Sequence, residues 1–160
     1  MKRRRPTRLR EPAAAYLPDE FVIDCSVCVP WYVRDEASEF CDQVGLAVHR
    51  SEVWVPSLWR PELVSAVINA ERRKRLTAQQ RTDILRNAAG LPLRVDHDIP
   101  TAVELGDLAS VHNLTPYDAV YFELARRRKL PLATLDAALI KAARATNLPV
   151  LTDSSLFPEK

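Results

Sequence analysis

Apolar positions along the chain follow two rhythms. Short, largely apolar runs, Phe21-Val22-Ile23, Val53-Trp54-Val55, Leu91 to Val95, Leu130 to Thr134 and Val150-Leu151, have the length of strands, and the first, with two β-branched members, the residue type of a buried one. Between them, apolar residues recur at helical spacing, as Val33, Ala37, Phe40, Cys41 and Val44 in one stretch and Trp59, Leu63, Ala66, Val67 and Ala70 in another. Further helices are predicted from about Ala78 to Ala89, Thr101 to His112, Tyr117 to Arg128 and Ala137 to Ala145. Gly45 and Gly90 are expected to stop the helices they follow, and Pro92 to stand at the first residue of its strand. Strands that alternate with helices predict an α/β fold: a three-layer α/β/α domain around a mostly parallel central sheet.

Length and composition narrow this picture. The chain has 160 residues, close to a typical domain size, which favours one core. Residues 21–152 are expected to form the domain, with residues 1–20 as a basic arm and 153–160 as a tail. With 47% hydrophobic and 28% charged residues, disordered and fibrous classes are excluded. No apolar run approaches the ~18 residues of a membrane helix, and Ala13-Ala14-Ala15 is too short for the ~7 to 15 apolar residues of a signal peptide. The expectation is a cytoplasmic protein with no membrane partner.

Charge is unevenly spread. Lys2, Arg3, Arg4, Arg5, Arg8 and Arg10 give the first ten positions six of the 23 basic residues, leaving a body with 17 basic against 21 acidic residues. Such an arm suits contact with an anionic polymer, and equally a solvated tail without a role.

In parallel sheets the functional edge lies at the carboxyl ends of the strands. Asp24 ends the first strand, Asp136 follows the fourth, and Glu62 sits near the start of the helix after the second. The helix from Tyr117 leads directly into the strand at Leu130, so it descends from that edge and Asp118 stands at its top. Four carboxylates brought to one edge repel unless a cation joins them. All-oxygen ligation suits a hard ion such as Mg²⁺ or Mn²⁺, which polarises a phosphoryl oxygen and lowers the pKa of water, the chemistry of phosphodiester hydrolysis. Local alternatives stand beside this reading. Thr115-Pro116-Tyr117-Asp118 also fits a capping box, Asp136 fits a helix cap, and Glu62 fits a surface position.

The motifs Phe-Val-Ile-Asp24-Cys-Ser26, Pro56-Ser-Leu-Trp-Arg-Pro-Glu62-Leu, Leu-Thr115-Pro-Tyr-Asp118-Ala-Val-Tyr and Leu-Ala-Thr134-Leu-Asp136 resemble the successive acidic motifs of PIN-domain nucleases. Their order and spacing are especially similar to the VapC toxins of toxin-antitoxin pairs, over about Phe21 to Val150. The resemblance implies a PIN-like fold and a Mg²⁺- or Mn²⁺-dependent endoribonuclease, inhibited by a small cognate antitoxin and homodimeric. Carried over by position, it makes Asp24, Glu62, Asp118 and Asp136 the catalytic, metal-holding quartet, with Ser26 and Thr134 as hydroxyl neighbours. RNA as substrate and the antitoxin rest on the resemblance alone. The Trp31, Tyr32 and Trp59 region is expected to offer the antitoxin an apolar groove. Pro61, at the fourth helical position if Ser57 is the N-cap, predicts a later helix start or a kink beside Glu62.

Other features carry less. Cys25-Ser-Val-Cys28 has redox or zinc spacing but no second pair, and Cys41 lies in an apolar stripe. His49, His97 and His112 share no ligand spacing. The clusters Arg72 to Arg75 and Arg126 to Lys129 fall at helix C-termini, where the macrodipole favours them, and are expected at the bottom of the sheet, away from the acids. Arg34, Arg60 and Lys141 are better placed to contact substrate. The alternatives are a PIN-like module that binds RNA or protein without cleavage, and a haloacid-dehalogenase-like phosphohydrolase. The second wants an acid where Ser26 stands.

Overall fold

The computed structural model of the chain describes residues 17–33 and 38–152. The cationic positions of the arm, Arg34 and the tail lie outside these residues. Strands β1 (Glu20–Ile23), β2 (Glu52–Pro56), β3 (Leu93–Asp96), β4 (Leu132–Ala133) and β5 (Val150–Leu151) form one sheet, parallel throughout, in the order β3-β2-β1-β4-β5. Phe21, Val22 and Ile23 of the central strand are all fully buried, which explains an uninterrupted apolar run where a one-faced strand would alternate. The chain builds outward from β1 to β3 and then crosses to β4 on the other side. The order therefore reverses between β1 and β4, and a crevice opens there at the carboxyl ends.

Helices flank the sheet: α1 (Cys25–Cys28), α2 (Glu39–Ala47), α3 (Trp59–Arg72), α4 (Ala78–Ala89), α5 (Ala102–His112), α6 (Pro116–Arg128) and α7 (Ala137–Ala145). The apolar stripe of α3 is buried through Trp59, Leu63, Val67 and Ala70. Thr77, Thr101 and Thr115 each close a capping box, so the orphan amides at the starts of α4, α5 and α6 have partners. Among the described residues no helix is long and apolar enough to cross a membrane.

Several boundaries differ from the expected ones for identifiable reasons. Strand β3 starts at Leu93, after Pro92 and not on it. Strand β4 is shorter than Leu130 to Thr134 because the Leu130 amide is spent on Ala125 O of α6, at 3.0 Å, while the Thr134 hydroxyl turns toward Asp24. The first amphipathic helix does not begin at Val33. Its amide bonds Val29 O just past a 3₁₀ turn (Val29–Trp31), and α2 starts after Ser38, whose Oγ accepts from Cys41 N at 3.2 Å. Gly45 does not end that helix. It lies within α2, where a Cβ would stand 3.1 Å from Trp31 Nε1, the atom that donates to Cys41 O at 2.7 Å, so the glycine permits a close approach. At the other end the chain is tied down from Pro18 onward: Ser51 Oγ donates to Pro18 O, the Glu52 amide to Asp19 O, and Glu20 opens β1.

Candidate active site

Asp24 stands where β1 ends, at the crevice, and is nearly buried. Its Oδ2 accepts two hydroxyl hydrogen bonds, from Ser26 Oγ and, at 2.8 Å, from Thr134 Oγ1. Each hydroxyl also accepts a backbone amide from the loop after β4: Leu135 N to Ser26 Oγ at 3.0 Å and Asp136 N to Thr134 Oγ1 at 3.0 Å. Each hydroxyl has one proton and here accepts one amide, which can only donate, so both protons are left to point at Asp24. Burial pushes the Asp24 carboxyl above the ordinary value, the Asp118 charge adds to this, and the Ser26 and Thr134 hydrogen bonds oppose it.

Glu62 comes from the first turn of α3. Pro61 has no amide to give Ser57 O, so Leu58 becomes the N-cap and the Glu62 amide makes an early intrahelical bond, to Leu58 O at 3.1 Å. The proline therefore falls at the third helical position, where its missing donor costs nothing. The Glu62 carboxyl reaches α6, where the hydroxyl of Tyr121 donates to its Oε2. Among the described residues Oε1 accepts no hydrogen bond. Burial pushes Glu62 up to about 7, against the Tyr121 hydrogen bond and aided by Asp24 and Asp118. Burial and the adjacent Glu62 charge raise the Tyr121 phenol as well.

At Asp118 the cap and the site coincide. Thr115 Oγ1 donates to its Oδ2 at 2.6 Å and accepts its amide at 3.2 Å, completing the capping box of α6. The same carboxylate acts electrostatically on both Asp24 and Glu62. Asp136 joins less directly. Its Oδ1 caps α7 through Leu139 N at 2.8 Å, and its own amide links through Thr134 Oγ1 to Asp24. Asp24, Glu62 and Asp118 thus share one field, and Asp136 borders it.

Among the described residues no Lys or Arg is ion-paired with any of these four, and no three His, Cys, Asp or Glu side chains stand close enough to ligate an ion together. The donor set is all oxygen and uncompensated. It fits a hard divalent cation that keeps several waters and takes one or two carboxylates directly, as Mg²⁺ does. Asp24 and Glu62 are the best presented for this, with Asp118 beside them.

A fifth acid escaped the sequence reading. Asp96 ends β3, is 4% exposed, and is held by Arg127 at 3.1 Å and Arg128 at 2.6 Å. Burial acts to raise its carboxyl, but hydrogen bonds from Arg127, Arg128 and the Asp98 amide outweigh that and lower it. Two members of the arginine cluster therefore lie at the carboxyl end of β3 and not at the bottom of the sheet, because α6 packs across β1, β2 and β4 and carries its end toward β3, while among the described residues none is ion-paired with the four acids of the crevice. Arg128 also lies 3.4 Å over the Trp54 ring. Asp96 is a neutralised structural acid, unlike the three at the crevice. Arg60 and Lys141 are exposed, on the helices that carry Glu62 and follow Asp136.

The remaining candidates resolve simply. Cys25 and Cys28 are buried thiols raised by burial, and Cys28 Sγ faces Asp24 O at 3.7 Å, so the pair packs. His112 rests on Phe122, with ring centroids 4.7 Å apart. Trp59 is 3% exposed and cannot form an open apolar groove with Trp31 and Tyr32. A groove of about 570 Å³ lies instead between α5 and α6, lined by Ile99, Leu108 and Val111 among others, and none of the four acids borders it.

Comparison with known proteins agrees with this architecture. Two solved structures are similar in fold. One is PAE2754 from Pyrobaculum aerophilum, 22% identical over 77% of this chain and 84% of that one, with a TM-score of 0.62. The other is VapBC2 from Rickettsia felis bound to a DNA fragment from their promoter, 15% identical over 82% of this chain and 97% of that one, with a TM-score of 0.59. Among curated proteins no relative matches. The family model of the PIN domain matches residues 21–152, which takes in all of the sheet but Glu20 and all four acids, and the chain belongs to the PIN-domain family.

Proposed function

We propose that this protein is a metal-dependent endoribonuclease and the toxin of a VapBC-type pair, homodimeric and inhibited by a small cognate antitoxin. The observation that carries the nuclease reading is the electrostatic coupling of Asp24, Glu62 and Asp118, three acids from three elements at the switch point that, among the described residues, have no cationic side chain to neutralise them. Mg²⁺ or Mn²⁺ held by Asp24 and Glu62, with Asp118 and Asp136 beside them, supplies the positive charge and the Lewis acidity for phosphodiester hydrolysis. Ser26 and Thr134 fix one oxygen of Asp24, and Thr115 fixes one oxygen of Asp118, so each acid is ordered before substrate arrives. Arg60 and Lys141, exposed on α3 and α7, would hold the RNA phosphates, with Arg34 and the cations of the first ten residues as further contacts that the described residues do not include. Similarity to the Rickettsia felis VapBC2 structure supports the antitoxin.

The experiment is incubation of the purified protein with mixed RNA, with Mn²⁺ or with EDTA, beside Asp24→Asn. Cleavage that needs Mn²⁺ and Asp24, leaving 5′-phosphate and 3′-hydroxyl ends, is expected. Cleavage in excess EDTA, or 2′,3′-cyclic phosphate ends, overturns the proposal.

A further inference from the structure

Each of the three acids at the crevice is gripped by a hydroxyl on one oxygen. Asp24 Oδ2 takes Ser26 and Thr134, and Asp118 Oδ2 takes Thr115. For both acids a donor is close in sequence: Ser26 lies two residues from Asp24, and Thr115 is the capping partner of Asp118. Glu62 has no such neighbour. It projects from α3 toward a different helix, and among the described residues its one hydroxyl partner is Tyr121, 59 residues away on α6. Tyr121 is 1% exposed, its ring packed in the core, so the hydroxyl is delivered by a side chain with little freedom to move. It also sits three residues after Asp118, one helical turn along the same face.

We infer that Tyr121 is a positioning residue for the divalent cation: its hydroxyl holds Glu62 by Oε2 and thereby presents Oε1 to the ion, setting the spacing between the acid on α3 and the one on α6. This rests on the metal-dependent reading above. The phenol does not touch substrate. Its effect passes through Glu62, since a half-buried carboxylate on a long side chain would otherwise sample several rotamers and lose that freedom on binding. A tyrosine suits the role because it spans the gap between two helices with two side-chain torsions and a rigid ring.

The test is isothermal titration of Mn²⁺ into wild type, Tyr121→Phe, Glu62→Gln and the double variant, with cleavage kinetics in parallel. Tyr121→Phe should weaken Mn²⁺ binding by about tenfold or more, the loss typical when an outer partner of a metal ligand is removed. Its kcat should fall while KM for RNA holds. In the Glu62→Gln background the same substitution should change neither. Mn²⁺ affinity within about twofold of wild type overturns the inference, as does an equal loss in the Glu62→Gln background, which would mark a packing effect. Should Tyr121→Phe not fold, Glu62→Asp keeps the charge but withdraws it from the phenol, and unchanged Mn²⁺ affinity there overturns the inference equally. Asp24→Asn separates the two levels. If it abolishes binding while Tyr121→Phe leaves the affinity within about twofold of wild type, only the positioning role falls. If wild type binds no Mn²⁺ through Asp24, the metal-dependent reading falls and this role with it.

Discussion

Glu62→Gln should stabilise the metal-free protein at neutral pH and leave it unchanged in acid. The Glu62 carboxyl is raised from its ordinary 4.5 to about 7 by burial first, with Asp24 and Asp118 adding to it. An acid raised in the folded state binds its proton more tightly there than in the unfolded chain. Its stabilising effect is complete below about 4.5 and is lost as the pH rises through about 7. Taken whole, that separation corresponds to roughly 3.4 kcal/mol at ~1.36 kcal/mol per pH unit. Glu62 is only half-buried, so solvent screening brings the penalty above the transition to about 1–2 kcal/mol. Glutamine keeps the acceptor for Tyr121 and carries no charge, so it escapes the penalty. For a domain of this size the gain is a melting temperature higher by roughly 3–6 °C at pH 8, and by about nothing at pH 4. Thermal melts of both proteins in EDTA, in steps from pH 4 to 8.5 at constant ionic strength, measure the difference directly. Saturating Mn²⁺ should erase or reverse the gain, because the ion stabilises wild type through the carboxylate the variant lacks. A difference that stays flat across the pH range, or grows toward acid, refutes the argument.

Asp118→Asn should abolish Mn²⁺-dependent cleavage with little change in stability, since asparagine still offers Thr115 an acceptor, whereas Thr115→Ala should cost about 1 kcal/mol and keep most activity. Cleavage by Asp118→Asn near the wild-type rate would remove that residue from the site. Arg128→Ala should cost about 1–3 kcal/mol in urea unfolding at pH 7, because Arg127 alone must then compensate a buried charge, and should leave cleavage unchanged. The folded-state carboxyl of Asp96 is lowered, so this stabilisation is present above the ordinary carboxylate range and lost as pH falls. The cost of Arg128→Ala should accordingly shrink in acid, and a cost independent of pH would refute the assignment.

What was legible in the sequence was whatever a local rule decides. Helices α4 and α7 carry their own periodicity and caps, and their limits, Ala78–Ala89 and Ala137–Ala145, agree with the pattern. The acids Asp24 and Asp118 stand at fixed offsets from a strand end and a helix start, so topology alone brought them to one edge. The misread positions are those where a partner far along the chain overrides the local rule. Gly45 looks like a helix stop until Trp31 is placed against it. Asp96 looks like a polar turn until two arginines 31 and 32 residues away close on it.

Tyr121 is the most telling of these cases, because a buried tyrosine on an apolar helical face satisfies every expectation for core packing. Only the hydroxyl distinguishes it from phenylalanine, and its partner lies on another helix. A buried phenol without an acceptor costs about 1–3 kcal/mol, so a tyrosine at a core position always asks where its proton goes. Here the proton goes to Glu62, the acid whose helix start Pro61 had made hardest to place from sequence. The same proline that removes the Ser57 bond fits a start of α3 with Leu58 as N-cap, which puts Glu62 in the first turn, where Tyr121 of α6 reaches it. The aim of that carboxylate is thus decided jointly by a backbone donor missing from one helix and a hydroxyl supplied by another, a combination no single segment of the chain contains.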